Sequence, residues 1–288
     1  MIRSLVLLLL LLKGDPPGAL EPLGRLDHPP IREASGIVQS RRYPGIFWVH
    51  NDSGNAPALF AVRRDGTLVR EYRVAIPNID WEDIATDGAG HLYLGEIGNN
   101  GGLLPVRAIY RLDEPDPAQA VSEPLKGTTA SYYQFVNRAA RFDAEGLFIE
   151  RGRATVIAKY LDGREAELFA VPLDPPARLL NPAVPANVGH LPGFREPATG
   201  ADLSRDGRLL VVCSYQVARV YERSGDSWEL LSTVRYPRQG IEAVCWEGND
   251  LILASEDRSV SRISERTWRR APRADSARDA RSRSPRIK

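Results

Sequence analysis

The sequence predicts an all-β fold, a β-propeller of five blades, on three observations. Helical periodicity is nearly lacking along the chain. Short runs rich in Val, Ile, Leu, Tyr and Phe recur instead, and turn dipeptides such as Asp65-Gly66 and Asp206-Gly207 separate them, as in β-hairpins. The runs also fall into one unit that repeats five times with about four short strands per unit, which is typical of propeller blades.

The first strand of each unit defines the repeat. These strands begin at Ser35, Glu82, Glu145, Ala201 and Glu242. Second and third strands follow in each unit, as in Ile46–His50 and Ala58–Val62 of the first. Because the 63-residue interval from Glu82 to Glu145 could hide a degenerate unit, six blades are the alternative to five, and an open sandwich ranks third.

The last unit shows only three clear strands, so its fourth is expected from the N-terminal side, around Leu23–Asp27. Such a strand seals the ring and removes exposed sheet edges. The propeller domain is therefore predicted at residues 21–265. A signal peptide or N-terminal anchor precedes it at residues 1–20, and a basic tail follows at residues 266–288.

Charge separates the tail from the body of the chain. Residues 266–288 carry nine Lys or Arg and two Asp, a net charge of +7, so the remainder carries −6. The tail offers no apolar surface to bury and is expected to be disordered. A solvated tail is favoured over specific nucleic-acid binding.

The N-terminus predicts export. A short basic start, Met1-Ile-Arg3, precedes the leucine-dense run Ser4–Leu12, which is too short to cross a bilayer. The mature protein is therefore expected to be secreted or periplasmic, without a transmembrane span. Cys213 and Cys245 both lie in apolar runs, and a disulfide and two buried free thiols are both open at this point.

A site is predicted at one mouth of the central channel. First strands line the channel of a propeller, and each second strand ends at the mouth where its antiparallel first strand begins. The first-strand starts give the predicted metal ligands Ser35, Glu82, Glu145 and Glu242. The second-strand ends give the predicted ligand-binding residues Asn51, Asp52, Glu96, Asn99, Lys159 and Glu256.

Several carboxylates facing one channel need compensation. Two unit charges about 7 Å apart repel by about 2 kcal/mol at an effective dielectric of about 20. A raised carboxyl pKa, a buried cation or Lys159 could each provide it. Glutamates together with hydroxyl, amide and water oxygens suit Ca²⁺, a hard cation that takes six to eight oxygen ligands, whereas the lack of cysteine in this register argues against zinc.

An ordered set of motifs carries a resemblance to known proteins. It comprises Glu33-Ala-Ser-Gly36, Trp48-Val-His-Asn-Asp-Ser-Gly54, Asp80-Trp-Glu-Asp-Ile-Ala85, Asp143-Ala-Glu145 and Gln239-Gly-Ile-Glu242. With these motifs the chain resembles a family of secreted bacterial β-propellers grouped with WD40-like, NHL-like and TolB-like repeats. The order Ser, Glu, Glu, blank, Glu is also distantly similar to the five-bladed calcium-activated nucleotidase (apyrase) propellers. That resemblance implies a Ca²⁺ on the axis, held by Ser35, Glu82, Glu145 and Glu242.

Three hypotheses for the function follow, and the sequence leaves open whether the protein is an enzyme. The leading one is an exported propeller that binds a cation, expected to be Ca²⁺, and a small polar or anionic ligand at the mouth. The second is a metal-dependent hydrolase of phosphate esters, phosphoanhydrides or lactones, with Glu96 or Asp52 as base and Lys159 stabilising phosphate charge. The third is a protein-interaction scaffold with a structural metal, whose loops at 113–127 and 173–197 contact partners.

Overall fold

The computed structural model describes residues 19–99, 102, 104–135, 142–237 and 240–273, so residues 1–18 of the predicted signal peptide and 274–288 of the predicted tail lie outside it. Within the described residues the strands form five antiparallel sheets of four. This confirms the predicted five-bladed propeller. The six-blade alternative is wrong, because the interval from Glu82 to Glu145 is occupied by the remaining strands and connections of blade 2.

The strand order is that of a ring closed by the N-terminal segment. The first strand, β1 (Glu21–Arg25), belongs to the last blade. Blade 1 comprises β2 (Ala34–Gln39), β3 (Phe47–Asn51), β4 (Ala58–Val62) and β5 (Leu68–Arg73), and blade 2 comprises β6 (Trp81–Thr86), β7 (His91–Glu96), β8 (Arg107–Asp113) and β9 (Gly127–Tyr133). Blade 3 comprises β10 (Asp143–Glu150), β11 (Arg153–Lys159), β12 (Glu167–Pro172) and β13 (Ala186–His190), and blade 4 comprises β14 (Gly200–Leu203), β15 (Leu209–Cys213), β16 (Val217–Ser224) and β17 (Ser227–Arg235). Blade 5 comprises β18 (Ile241–Glu247), β19 (Asp250–Ser255) and β20 (Ser259–Ile263), with β1 as its outermost strand.

The first strands pack against one another in a closed cycle, from β2 to β6, β10, β14, β18 and back to β2. This cycle is the wall of the central channel. Neighbouring blades cover both faces of each sheet, so middle strands such as β3 and β4 are buried along their whole length. Complete burial explains why they are recognised as continuous apolar runs.

The hairpin turns use the residues that the sequence pattern indicated. Gly66 and Gly207 adopt φ of 86° and 71°, a left-handed conformation that glycine reaches without strain. In the first of these turns the Asp65 carboxylate accepts a hydrogen bond from the Thr67 backbone N–H at 3.0 Å. The Asp-Gly dipeptides therefore set the hairpin connections of blades 1 and 4.

Ring closure takes place two residues earlier than predicted. β1 pairs with β20 and completes blade 5, as expected for the N-terminal segment. The backbone N–H of Arg25 also donates to the Asp65 carbonyl at 3.0 Å, in the outer turn of blade 1. The same short strand thus joins the last blade to the first.

Ordered structure continues past the predicted end of the domain. The helix α1 (Glu265–Arg270) lies in the segment from Arg266 that was expected to be disordered. It packs on β17 and buries Trp268 completely, and the indole N–H of Trp268 donates to the Asn249 carbonyl at 2.8 Å. The composition-based prediction overlooked this single tryptophan within a strongly basic segment.

Two further expectations can be compared with the structure. Cys213 and Cys245 are buried free thiols, which resolves the alternative in favour of small apolar packing residues. No helix in the described part of the chain is both long enough and apolar enough to cross a membrane.

Candidate metal centre

Four β-bulges position the four predicted metal ligands. Ser35, Glu82, Glu145 and Glu242 each lie between two residues that pair with successive positions of the neighbouring strand, so each is the extra residue of a bulge. A bulge bends the strand and turns the extra side chain away from the regular alternation. In blade 4 the corresponding residue Ala201 pairs regularly with Val212, and its side chain is the only one of the five register residues without an oxygen atom.

The bulged residues converge on one cavity of about 510 Å³ at the channel mouth. Seven predicted site residues line it: Ser35, Glu82, Glu145, Glu242, Asp52, Lys159 and Glu256. Tyr215, Arg32 and Glu33 also belong to its wall. Residues far apart in sequence are therefore brought together as the repeat alignment indicated.

The other three predicted residues support the wall rather than line it. Asn51 accepts hydrogen bonds at Oδ1 from the backbone N–H groups of Arg32 and Glu33, at 2.9 and 3.2 Å. Glu96 accepts from the backbone N–H of Ile79 at 3.0 Å and from that of Asp80. The side-chain amide of Asn99 donates to the Phe142 carbonyl at 3.3 Å. All three fix loops that carry the acidic residues.

Five carboxylates form an acidic cluster, and three of them, those of Asp52, Glu82 and Glu145, line the cavity. Asp52, Asp80 and Glu82 make one group, and Glu82, Asp143 and Glu145 make a second, with the potential ligand atoms of each group within 4.8 Å of one another. Sequence reasoning missed Asp80 and Asp143 as site residues. A repeated Asp-x-Glu pattern, at 80–82 and again at 143–145, was the signal that could have identified them.

Glu82 is the centre of this cluster. Its side chain belongs to both groups, the residue is only 3% exposed, and its Oε1 atom has no hydrogen-bond partner among the described residues. Burial raises the pKa of Glu82 well above its usual range, and the carboxylates of Glu145 and Asp52 raise it further. A buried carboxylate oxygen without a partner is costly, and it is usually satisfied by a proton, a water molecule or a cation.

Gly98 allows the carboxylates to approach the backbone. A Cβ atom at this position would lie 2.1 Å from Glu82 Oε1 and 2.6 Å from Asp80 Oδ2, far inside van der Waals contact. With the carboxylates in these positions, the loop after β7 has no room for a Cβ atom at Gly98.

Lys159 is the basic residue in contact with the cluster. Its ammonium forms an ion pair with Glu145, and Nζ lies 5.7 Å from the ring centroid of Tyr215. Burial alone would lower the pKa of Lys159, but Glu145 and Tyr215 outweigh burial and the pKa is raised. The ammonium therefore stays charged and offsets negative charge in the cluster.

Ser35 and Glu242 lie in the cavity wall but have other partners. The Ser35 hydroxyl donates to the Glu82 carbonyl at 2.7 Å, which fixes the bulge of blade 2. Burial, together with a hydrogen bond to Glu256, raises the pKa of Glu242 to about 9. Glu242 belongs to neither carboxylate group, and the members of both groups come from blades 1 to 3.

Asp83 links blades 2, 3 and 4 beside the cluster. Its Oδ2 atom accepts hydrogen bonds from the backbone N–H of Leu147 in blade 3 at 2.8 Å and of Ala201 in blade 4 at 3.1 Å. The backbone N–H of Ile84 donates to Oδ1 at 2.9 Å. Because Asp83 directly follows Glu82, this bridge fixes the strand that carries the central ligand candidate.

Comparisons with known proteins give no assignment. No family model matches the sequence, and a search of curated proteins gives no relative. Similar solved structures include the nidogen/laminin complex, at 11% identity over 82% of this chain and 84% of that chain, with a TM-score of 0.46. Virginiamycin B lyase from Staphylococcus aureus is similar at 14% identity, over 80% of this chain and 65% of that chain, with a TM-score of 0.42. Kuenenia stuttgartiensis hydrazine synthase is similar at 13% identity, over 77% of this chain and 55% of that chain, with a TM-score of 0.39. Likenesses this distant carry no inference about the site, so the chemistry of this five-bladed propeller is argued from its own residues.

Proposed function

We propose that this propeller binds a divalent cation, with Ca²⁺ the expected ion, in the acidic cluster at its channel mouth, together with a small polar or anionic ligand. The observation that carries the proposal is the buried Glu82 carboxylate, whose Oε1 has no partner among the described residues although it belongs to both acidic groups. A cation supplies the partner that this oxygen lacks.

Charge balance favours a cation over protons alone. Two carboxylates about 5 Å apart repel by about 3 kcal/mol at an effective dielectric of about 20. The cluster holds five carboxylates against the single ammonium of Lys159. A divalent ion converts this repulsion into attraction and restores the ionised form of each ligand.

The chemistry of the donors indicates which ion. Every member of both groups offers carboxylate oxygen, and neither histidine nor cysteine belongs to them. Zinc prefers nitrogen and sulfur, and Mg²⁺ demands near-ideal octahedral geometry, whereas Ca²⁺ accepts irregular sets of oxygen ligands. Export, as the N-terminus predicts, would place the site where affinities of about 10⁻⁴–10⁻³ M are typical of calcium-binding modules.

The remainder of the cavity suits a small anion. Lys159 and Arg32 line the same space as the carboxylates, and the volume of about 510 Å³ lies within the usual range for small-molecule sites. A bound cation would neutralise the acidic wall, and the ligand's negative groups could then contact both the ion and Lys159.

Thermal unfolding with and without Ca²⁺ tests the cation site. For protein stripped with a chelator, Ca²⁺ at about 100 times its Kd should stabilise the fold by about 2.7 kcal/mol, a rise in Tm of about 5–10 °C for a domain of this size. Glu82→Gln should remove this rise, because the amide carries no charge and brings two N–H groups into the cluster.

Glu222→Gln is the matched control. Glu222 forms an ion pair with Arg208 on the surface of blade 4 and is no part of the cavity wall, so this variant should respond to Ca²⁺ as the wild type does. An unchanged wild-type Tm across Ca²⁺, Mg²⁺ and Mn²⁺ would contradict the proposal, and so would an equal rise in Glu82→Gln.

A metal-dependent hydrolase of phosphate esters, phosphoanhydrides or lactones is the second candidate. The ammonium of Lys159 beside the acidic cluster favours it, because a cation and an ammonium can together stabilise negative charge that develops on a phosphate. Of the bases that the sequence suggested, Asp52 lies in the cavity wall, whereas Glu96 binds backbone N–H groups.

Turnover of chromogenic phosphate, nucleotide and lactone substrates with Ca²⁺ tests the hydrolase. We expect Lys159→Ala to lower kcat at least tenfold, because it removes the charge that contacts the substrate. Glu96→Gln should change kcat little, because its amide oxygen can still accept from the Ile79 N–H. No turnover on the whole panel would leave ligand binding as the function. Equal loss in both variants would contradict the specific role of Lys159.

A further inference from the structure

We infer that the centre holds two divalent cations bridged by the carboxylate of Glu82. This inference rests on the proposed function and specifies the site more closely. It starts from the fact that Glu82 is the one residue common to both acidic groups among the described residues. A carboxylate has two oxygens and can bind a different ion with each.

The two groups have the dimensions of two separate ion sites. In each, the ligand atoms lie within 4.8 Å of one another, so small side-chain adjustments would bring all three oxygens to the 2.3–2.6 Å at which Ca²⁺ is bound. Asp52 from blade 1 completes the first group with Asp80 and Glu82 of blade 2. Asp143 and Glu145 of blade 3 complete the second. The first ion would thus lie between blades 1 and 2, and the second between blades 2 and 3.

The unpartnered Oε1 of Glu82 is independent evidence for a ligand in the cluster. Its residue is 3% exposed, so solvent contact does not satisfy it. Gly98 brings the backbone so close that a Cβ would overlap both Glu82 Oε1 and Asp80 Oδ2. The backbone therefore encloses Glu82 Oε1 on the side of Gly98, and this oxygen needs a partner within the cluster.

Charge counting distinguishes one ion from two. The five carboxylates and the ammonium of Lys159 carry a net charge of −4 when ionised. One divalent ion leaves −2 in a buried site, and two bring the cluster to neutrality, which a poorly solvated environment strongly favours. Glu145 can keep Lys159 on one oxygen and offer the other to the second ion.

Ion stoichiometry measured on the full chain tests the inference. After chelator treatment, native mass spectrometry with Ca²⁺ should show two ions per wild-type chain and per Glu222→Gln chain. Asp52→Asn and Asp143→Asn should each retain one, because each removes a ligand from a different group. With Mn²⁺ in place of Ca²⁺, electron paramagnetic resonance should show two exchange-coupled ions, a readout that requires no variant.

The outcomes separate this inference from the function on which it rests. One ion per wild-type chain, with the Ca²⁺-induced rise in Tm intact, would overturn the second site and leave the cation proposal standing. In that case Lys159 neutralises the second group. No bound ion would overturn both. Two uncoupled Mn²⁺ ions, or two ions retained in both aspartate variants, would place the second ion elsewhere and contradict the bridge.

Discussion

At the scale of single residues, the site depends on positions where one atom decides whether the cluster can form. Glu82 contributes the carboxylate common to both acidic groups, and the Ser35 hydroxyl donates a hydrogen bond to the Glu82 backbone carbonyl. Asp83 fixes β6 through three hydrogen bonds from backbone N–H groups. Gly98 contributes by having no side chain. Such a set is preorganised for the proposed cation, because little of it would have to move if an ion entered.

Gly98→Ala should abolish the response to Ca²⁺ while the propeller still folds. The added methyl group would push Glu82 Oε1 and Asp80 Oδ2 apart, and the first acidic group would lose its geometry. We expect the Ca²⁺-induced rise in Tm to vanish, as measured by thermal unfolding, with the circular dichroism of a β-protein retained.

Gly95→Ala is the control for this substitution. A Cβ at Gly95 would meet only the side-chain carbons of Ile97 and Leu147, at 3.2 Å, and no carboxylate. This variant should lose some stability and keep its full response to Ca²⁺. Loss of the response in both glycine variants would show that a general disturbance of β7 and the loop after it, rather than the acidic cluster, is responsible.

Sequence reasoning predicted the cavity better than the contacts within it. Register along a repeat identified Glu82 and Glu145, because equivalent positions in a ring must converge. It could not tell Asn51, Glu96 and Asn99 from true wall residues, since a bulge or a tight loop decides whether a side chain turns into the channel or towards the backbone. Asp80 and Asp143 were missed because the alignment admitted a single register position per blade.

At the scale of elements, β-bulges at the starts of four first strands place their extra side chains in the wall of the cavity at the channel mouth. The pairing itself follows from apolar runs and turn residues, so most strands were predicted correctly. β13 was missed and taken as part of a loop, because the segment Ala186–His190 is largely exposed and lacks the apolar alternation of a strand. Its position is set by pairing with β12 and not by burial.

The helix α1 shows how one buried side chain extends a domain. Trp268→Ala should lower the free energy of unfolding by about 3–5 kcal/mol, the usual cost of removing a large buried aromatic side chain. The indole packs edge-on against Trp246 with ring centroids 5.8 Å apart, so blade 5 should be affected as well. The shift of the urea midpoint measures the effect.

Arg266→Ala on the same helix is the control, because Arg266 is exposed. It should shift the midpoint by no more than about 0.5 kcal/mol, as is usual for surface substitutions. Equal midpoints for Trp268→Ala and Arg266→Ala would mean that the helix contributes nothing to the stability of the propeller.

At the scale of the whole molecule, the number of blades and the location of the cavity follow from the repeat, because five similar sheets around one axis bring equivalent positions to a common mouth. The chemistry of the proposed site does not follow from it. That chemistry depends on the departures from the repeat: the aspartates two positions before two of the glutamates, the lysine at the end of β11, and the alanine at the register position of blade 4.

The seam between β1 and β20 has a consequence for how the protein is made. On the ribosome, Glu21–Arg25 is synthesised before every other strand of the propeller, yet its partner Ser259–Ile263 is synthesised last of all the strands. The earliest strand must therefore wait unpaired through the synthesis of four blades. The propeller ring can close only after the final hairpin has left the exit tunnel.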